Sequence, residues 1–596
     1  MSAPADLAAD EEARVRAVDP SRSVILQAPA GSGKTTVLVE RLLRLLIEAD
    51  APEDILAITF TRKAAAEMAL RVASVLDLPP DPQGDGRTRE LARLAQAVRG
   101  RSQARGWQLA ENPGRLRIQT VDALNRALAL QLPVAAHGAG TLAVLRDAES
   151  AYRTAARRTL LDAQGDAARR ADVEFLFERM ENDFALCEEL IADMLERRTH
   201  WLPHLVGEAG AQLAQRVQAS LSAVVQARLD RARQVLTAAQ LREGLRIGAE
   251  VAAHLRSGVD FAHSADSPTL RQWQALASLA LTRQGEWRRR LDVRAGFPPE
   301  DKALKRRAGD WLADLGTQPG SLELFIEMRL LPEPQLGDDE IQALGVLARV
   351  LELAVAELDV VFTELGRVDY AAVAVAARMA LGSMDEPTDL ALRLDHGIRH
   401  ILVDEFQDTS LEQTRLLAQL TAGWEPGDGR TLFLVGDPMQ SIYAFREAEV
   451  GMFLGARTAG IGTVPLEALT LRRNFRSAAQ VVDWNNAVFA RCFPALDDPR
   501  TSSVAYEHSV AARPGLEGAV HLHRVLPGDY PGEARGIARI VGQLRRDEPQ
   551  ASVAILVSSR AHAGPIVAAL EAARIPVAGV ELVPLGELSI VRDLAA

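Results

Sequence analysis

Cysteine is nearly missing from these 596 residues: Cys187 and Cys492 lie far apart, and neither sits in a Cys-x-x-Cys spacing. That excludes a disulfide framework and a cysteine-held zinc or iron–sulfur centre, and leaves two reduced thiols. The 11 histidines form no ligand-spaced cluster. His396 and His400, four apart, are read as solvent-facing or packed beside a strand rather than as metal ligands. No apolar run reaches the length of a membrane span, and the opening "MSAPADLAADEEARVRAV" has acids and alanines where an export signal has a basic and then an apolar stretch, so a cytoplasmic location is expected. Basic residues are not in excess either. With 68 Lys and Arg against 80 Asp and Glu, the net charge of −12 excludes a generally basic coat, so any contact with a polyanion must come from a local groove. No internal repeat of fixed period is found.

What is present is a large apolar fraction, 48%, enough for several cores and about three domains. From about residue 23 to 128, short β-rich runs ("SVILQA", "ILAITF") alternate with helical patterns, as in a parallel α/β sheet. From about 130 to 367 the chain is rich in Ala, Leu, Arg and Glu. There "AESAYRTAARRTLLDA" and "LGVLARVLELAVAELDVVFTELG" carry apolar residues at three- and four-residue spacing, which predicts a helical insertion. Strand-like runs return in "HILVDEF", "TLFLVGD", "ALTL" and "VAILV". "LPPDPQGDGRTRE" and "LLPEPQLGDDE" are the most loop-like pieces.

"APAGSGKT" fits the phosphate-loop pattern in all but its first letter, where Ala28 stands for glycine. The candidate nucleotide-binding residues are Ala28, Pro29, Ala30, Gly31, Ser32, Gly33, Lys34, Thr35 and Thr36. Small residues let consecutive backbone N–H groups point at phosphate oxygens, the following helix offers its positive end, Lys34 reaches the outer phosphates and Thr35 can ligate Mg²⁺. So short a pattern also arises by chance, but here a strand-like run precedes it and a helical pattern follows. In "HILVDEFQDTS", Asp404 and Glu405 end the apolar run 401–403, at the edge of an open parallel sheet where ligands bind. Asp404 would hold Mg²⁺ and Glu405 would orient and deprotonate an attacking water. The bland alternative is an acidic pair capping the next helix.

Five ordered stretches, "ITFTRKAAAEM" (58–68), "IQTVDAL" (118–124), "ILVDEFQDT" (401–409), "LVGDPMQSIYAFR" (434–446) and "LTLRRNFRS" (469–477), resemble the motifs of UvrD/Rep-type superfamily 1 helicases, and within them the AddA and RecB branch of helicase–nucleases. The resemblance implies a P-loop NTPase with RecA-like α/β domains: a first domain over 1–135 and 368–458, a helical insertion over 136–367 and part of a second RecA-like domain over 459–596. It implies ATP and Mg²⁺ as cofactors and DNA as partner, together with a possible second helicase–nuclease subunit. Gln440 would sense the γ-phosphate, Phe475 would stack on the nucleotide base and Arg476 would reach the γ-phosphate. Phe60, Tyr443 and Phe445 match base-stacking aromatics, with Thr59, Thr61, Thr120 and Arg446 placed for backbone contact. Stacking needs only a π-face, so binding of single strands would be nearly sequence-blind. For each aromatic, core packing is the competing reading.

The expected activity is therefore ATP-driven translocation and unwinding of DNA, 3′ to 5′, in repair or recombination. Two departures qualify it. Family members usually carry a glutamine that reads adenine shortly before the phosphate loop, where this chain has Ala13 or Arg14, so strict ATP preference is not implied. The later motifs are not found before "ELSIVRDLAA", nor is a nuclease motif, which leads to the expectation of a fragment that binds nucleotide but hydrolyses it poorly alone. Two other readings stand beside the motor: a nucleotide-gated scaffold subunit that docks through the helical insertion, and a phosphate-loop kinase of a small metabolite, which gives no role to "GDPMQSIYAFR" or "RRNFRS".

Overall fold

The computed structural model describes residues 4–79, 86–109, 111–131, 143–145, 147–162, 166–205, 210–256, 258–261, 268–383, 386–442, 449–499, 501–513 and 515–579. They fall into two compact units, one of residues 1–476 with 489–510 and one of 477–488 with 511–596.

The first unit is built on six parallel strands: β1 (Val24–Gln27), β2 (Ile55–Thr59), β3 (Arg117–Thr120), β4 (His400–Val403), β5 (Thr431–Gly436) and β6 (Glu467–Thr470). Their order across the sheet is β3-β2-β4-β5-β1-β6. Every residue of β1, β2, β4 and β5 is buried. That is why these strands read as unbroken apolar runs: a parallel sheet is covered on both faces. Alternation decides the face. Val24, Leu26, Leu402, Phe433 and Val435 pack with Leu38, Leu42 and Leu46 of helix α2 (Lys34–Glu48). Ile25, Ile401, Val403, Leu432 and Leu434 pack on the other face with Leu124, Phe406, Leu416 and Phe453.

Strand β6 pairs with β1, Val24 opposite Glu467 and Gln27 opposite Thr470. The sheet thus runs past residue 458, the sequence-based end of the first domain, because "ALTL" completes the ladder beside β1. Arg41, on the buried face of α2, is fully buried. It donates to the carbonyls of Ala17 (2.8 Å), Asp19 (2.9 Å) and Arg22, and lies over the Phe433 ring at 4.7 Å. Burial pulls its pKa down to about 9. These bonds tie the N-terminal helix α1 (Pro4–Ala17) and the turn after it to the sheet.

The described residues of 149–365 are mainly helical and hold cores of their own, one around Leu160, Leu195 and Leu358, another around Phe325, whose ring meets Trp273, Trp287 and Trp311 edge-on at 5.3–6.0 Å. Asp369 links this region to the sheet. It accepts from Tyr152 Oη (2.6 Å) and from Arg198 Nη1 and Nη2 (2.7 and 2.6 Å), and caps the helix Tyr370–Leu381 through Ala372 N. Burial alone would raise its pKa, but Arg198 beside it holds the carboxyl below the usual range.

In the second unit, Tyr530–Asp547 and Arg560–Ala572 pack through Ala534, Val541, Ile566 and Leu570. The stretch "VAILV" at 553–557 forms no strand there, against the sequence expectation. Leu556 is 94% exposed, and an apolar run makes a strand only where another strand pairs with it.

Candidate nucleotide site and adjoining groove

The turn from β1 into α2 needs backbone that only glycine takes freely. Gly31 and Gly33 have φ of +78° and +83°, and Lys34 is the first residue of the helix. Ser32 is buried with its hydroxyl unpaired among the described residues. The N–H groups at the start of α2, with the helix's positive end behind them, form an anion cradle.

Lys34 extends from that cradle to the end of β4. Its Nζ lies 2.5 Å from Glu405 Oε1 and 3.6 Å from Asp404 Oδ1. The two acids, 370 or more positions away in sequence, come beside it because β5 alone separates β4 from β1 in the sheet. Asp404 continues β4 by donating its N–H to Ile58 O (2.8 Å), and its Oδ1 accepts from Glu405 N (3.0 Å). Glu405 has a left-handed backbone (φ 55°, ψ 41°), uncommon for a residue with a side chain and typical of held functional positions.

Negative charge is in excess here. Burial raises the pKa of Asp404, with Glu405 adding to the rise and Lys34 opposing it. Burial and then Glu405 push Asp408 up to about 6, and burial raises Asp437. Four carboxylates thus share the field of one ammonium, a donor set that suits a divalent cation. Among the described residues no three of them are arranged as a complete metal cage. A Mg²⁺ keeps several waters and takes one or two protein ligands; Thr35 and Asp404 are the residues that would supply them here.

Gln407, which the sequence reading left without a role, joins two strand ends. Its Oε1 accepts from Asp437 N (2.9 Å), and its Nε2 donates to Glu405 Oε2 (2.8 Å) and Asp408 Oδ2 (3.1 Å). A Cβ on Gly436 would stand 2.2 Å from Gln407 Oε1, so the glycine of "LVGD" makes room for this side chain. Gln440, on the turn Pro438–Gln440, donates to Asp437 Oδ2 and so faces the same cluster. The residues after β6 close over the loop: Asn474 Nδ2 donates to Ala30 O (3.1 Å), Phe475 N to Gly31 O (2.8 Å) and Arg476 N to Asn474 Oδ1 (2.9 Å). Phe475 and Arg476 are therefore brought to the loop, and Asn474 is a contact that sequence reasoning missed although it lies within the quoted "RRNFRS".

A groove of about 750 Å³ opens near the ends of β2 and β3, lined by Phe60, Thr61, Arg62, Thr120, Arg126 and Tyr370, among others. Phe60 is half-buried. Thr61 and Thr120 are the N-caps of helices α3 (Arg62–Leu76) and α4 (Val121–Ala129), accepting from Ala64 N (3.0 Å) and Ala123 N (3.2 Å). Two helix N-termini thus face one groove, each favourable to a phosphate. Thr59 is 1% exposed with its hydroxyl buried, and it does not line this groove. Tyr370, half-exposed, and Arg62 and Arg126 were not singled out from sequence. Tyr443, Phe445 and Arg446 lie outside the described residues. His400 is buried, its Nδ1 2.9 Å from Thr431 Oγ1.

The family model of the UvrD/REP helicase N-terminal domain matches residues 8–259 and 321–459. Curated proteins named as the A-type subunit of an ATP-dependent helicase/nuclease are similar. That of Lysinibacillus sphaericus is 24% identical over 531 residues, 83% of this chain and 40% of the relative. Those of Exiguobacterium sibiricum and Desulforudis audaxviator are 26% and 27% identical, covering 85% and 89% of this chain and 41% and 43% of theirs. The chain spans about two fifths of the length of these curated relatives.

Proposed function

The chain belongs to the UvrD/REP helicase family, and from that premise we propose that it is the motor portion of an ATP-dependent DNA helicase, moving 3′ to 5′ on single-stranded DNA in repair or recombination. The observation that carries the proposal is the convergence of Lys34 with Asp404 and Glu405 at one end of the sheet. The names of its relatives, which call them subunits of a helicase/nuclease, support a partner subunit for the whole protein.

In this reading the N–H groups of residues 31–35 and the Lys34 ammonium bind the triphosphate. Glu405 accepts a proton from the attacking water, a role its partly exposed carboxylate suits, and Gln407 fixes its orientation. Thr35 and Asp404 are the residues that would hold a Mg²⁺, which would neutralise charge at the phosphates. Phe475 stacks on the base, and Gln440 and Arg476 respond to the outer phosphate. Phe60 and Tyr370 stack on bases of a strand whose phosphates meet the N-termini of α3 and α4. Movement requires that nucleotide-bound and nucleotide-free states hold the strand with different affinities.

Phosphate release from ATP by the whole protein, measured with and without oligo(dT), tests the proposal together with displacement of a strand from 3′-tailed and 5′-tailed duplexes. DNA-stimulated turnover that vanishes in Lys34→Ala, and displacement from the 3′-tailed duplex, are expected. Turnover that ignores both DNA and the Lys34 substitution would contradict it.

A further inference from the structure

Arg14 stands between α1 and the phosphate loop in a way the motor reading does not use. It is 6% exposed. Its Nε donates to Asp10 Oδ2 at 2.7 Å and its Nη2 to Asp10 Oδ1 at 3.4 Å. Asp10 is itself fixed, since its Oδ1 also accepts from the backbone N–H groups of Arg472 (2.7 Å) and Arg473 (3.1 Å). Two of the three guanidinium nitrogens are thus anchored. The third, Nη1, is buried and meets no acceptor among the described residues. It points to the loop: a Cβ placed on Gly33 would lie 3.7 Å from it. The guanidinium carbon is 5.1 Å from the centre of the Phe475 ring, and that of Arg473 is also 5.1 Å from the same ring.

An anchored, buried guanidinium with one unsatisfied donor beside a phosphate loop is arranged to meet a ligand acceptor, because a buried N–H left unpaired is expensive. Its chemistry is one-sided. Arg has only donors and stays charged, so it can donate to N7 and O6 of guanine but cannot accept from the N6 amino group of adenine. The second arginine beside Phe475 is likewise donor-only. We propose that Arg14 reads the base edge of the bound nucleotide and makes the site accept guanine at least as well as adenine. The proposal rests on the reading of this pocket as a nucleoside triphosphate site with the base at Phe475.

Displacement of a fluorescent, ribose-labelled ATP by unlabelled ATP, GTP, ITP and 7-deaza-GTP tests it on the wild-type chain. GTP and ITP, which share O6 and N7, are expected to compete as well as ATP or better, and 7-deaza-GTP, lacking N7, about 10-fold more weakly than GTP. Arg14→Gln, with a side chain that both donates and accepts, is expected to move the ATP-to-GTP ratio roughly 10-fold toward ATP while the melting temperature shows it folded. A ratio unmoved by Arg14→Gln, with 7-deaza-GTP equal to GTP, overturns the inference and leaves the triphosphate site intact. An equal loss of ATP and GTP binding in the variant also overturns it, assigning Arg14 to phosphate or to structure. Failure of every triphosphate to bind the wild-type chain would instead sink the underlying nucleotide reading.

Discussion

Gln407 holds Glu405 and Asp437 on one side chain, donating to the first at 2.8 Å and accepting from the backbone N–H of the second at 2.9 Å. The end of β4, with the carboxylate proposed to activate water, is thereby joined to the end of β5, which leads to Gln440. Gln407→Ala is expected to lower ATP turnover about 10-fold and to blunt its stimulation by DNA, with nucleotide affinity changed little. It also leaves the buried Asp437 N–H unpaired, at a stability loss of about 1–3 kcal/mol. Steady-state kinetics beside nucleotide titration separates the effects; equal losses in affinity and turnover would make Gln407 a binding residue rather than a positioning one.

Gly31 admits no side chain. A Cβ there would meet Asn474 Oδ1 at 2.5 Å and Arg476 Cβ at 2.9 Å, and the φ of +78° is strained for any other residue. Gly31→Ala should therefore destabilise the first unit by roughly 1–3 kcal/mol and weaken nucleotide binding. Gly309→Ala is the control, on an exposed stretch of the helix Lys302–Thr317 with open space around it, where Ala is expected to stabilise by up to about 1 kcal/mol. Thermal melts of the two variants should move in opposite directions.

His400 gives the fold a defined acid sensitivity. Burial, then Arg41 and Arg399, pull its pKa from 6.5 down to about 4, so the folded protein keeps it neutral where the unfolded chain takes up a proton. The unfolded state thus binds more protons between about pH 4 and 6.5. Stability contributed by the neutral ring is complete above pH 6.5 and falls as the pH drops through that window, by at most about 1.4 kcal/mol per pH unit. Denaturant melts across pH 4–7 should show this slope and a flatter profile in His400→Gln; identical slopes would remove His400 as the cause.

Phe60 and Tyr370 share the groove near the ends of β2 and β3. Replacing either by Ala should weaken single-strand binding by about 1–3 kcal/mol per lost stack while nucleotide affinity stays put. Fluorescence anisotropy with oligo(dT) reads the loss, and unchanged DNA affinity in both variants would move the strand elsewhere.

How much of this was legible in the sequence depended on whether a feature was local. The phosphate loop, the acids at the end of β4 and the buried strands are contiguous patterns, and the structure brings Lys34 to Asp404 and Glu405 as their residue types imply. Gln407 and Asn474 were invisible because their importance comes from partners, Asp437 and Ala30, that only folding brings near. The place of "ALTL" beside β1 rather than in a following domain is of the same kind, since a strand's neighbour is not written in its own residues. "VAILV" shows the converse, an apolar run without a ladder to join. Thr61 and Thr120, which the resemblance marks for contact with a DNA backbone, line the groove and cap helices, and the capping role, which fixes their hydroxyls on backbone N–H groups, was not read from the sequence.

The most direct test of the central claim is Glu405→Gln in the whole protein, assayed for nucleotide binding and for hydrolysis on the same preparation. The carboxylate is assigned to proton transfer and not to affinity, so binding within about threefold of wild type and hydrolysis lowered by about 10²-fold or more are predicted. Hydrolysis at the wild-type rate in Glu405→Gln would show that the acids beside Lys34 are a structural ion pair, and the motor reading of this pocket would be wrong.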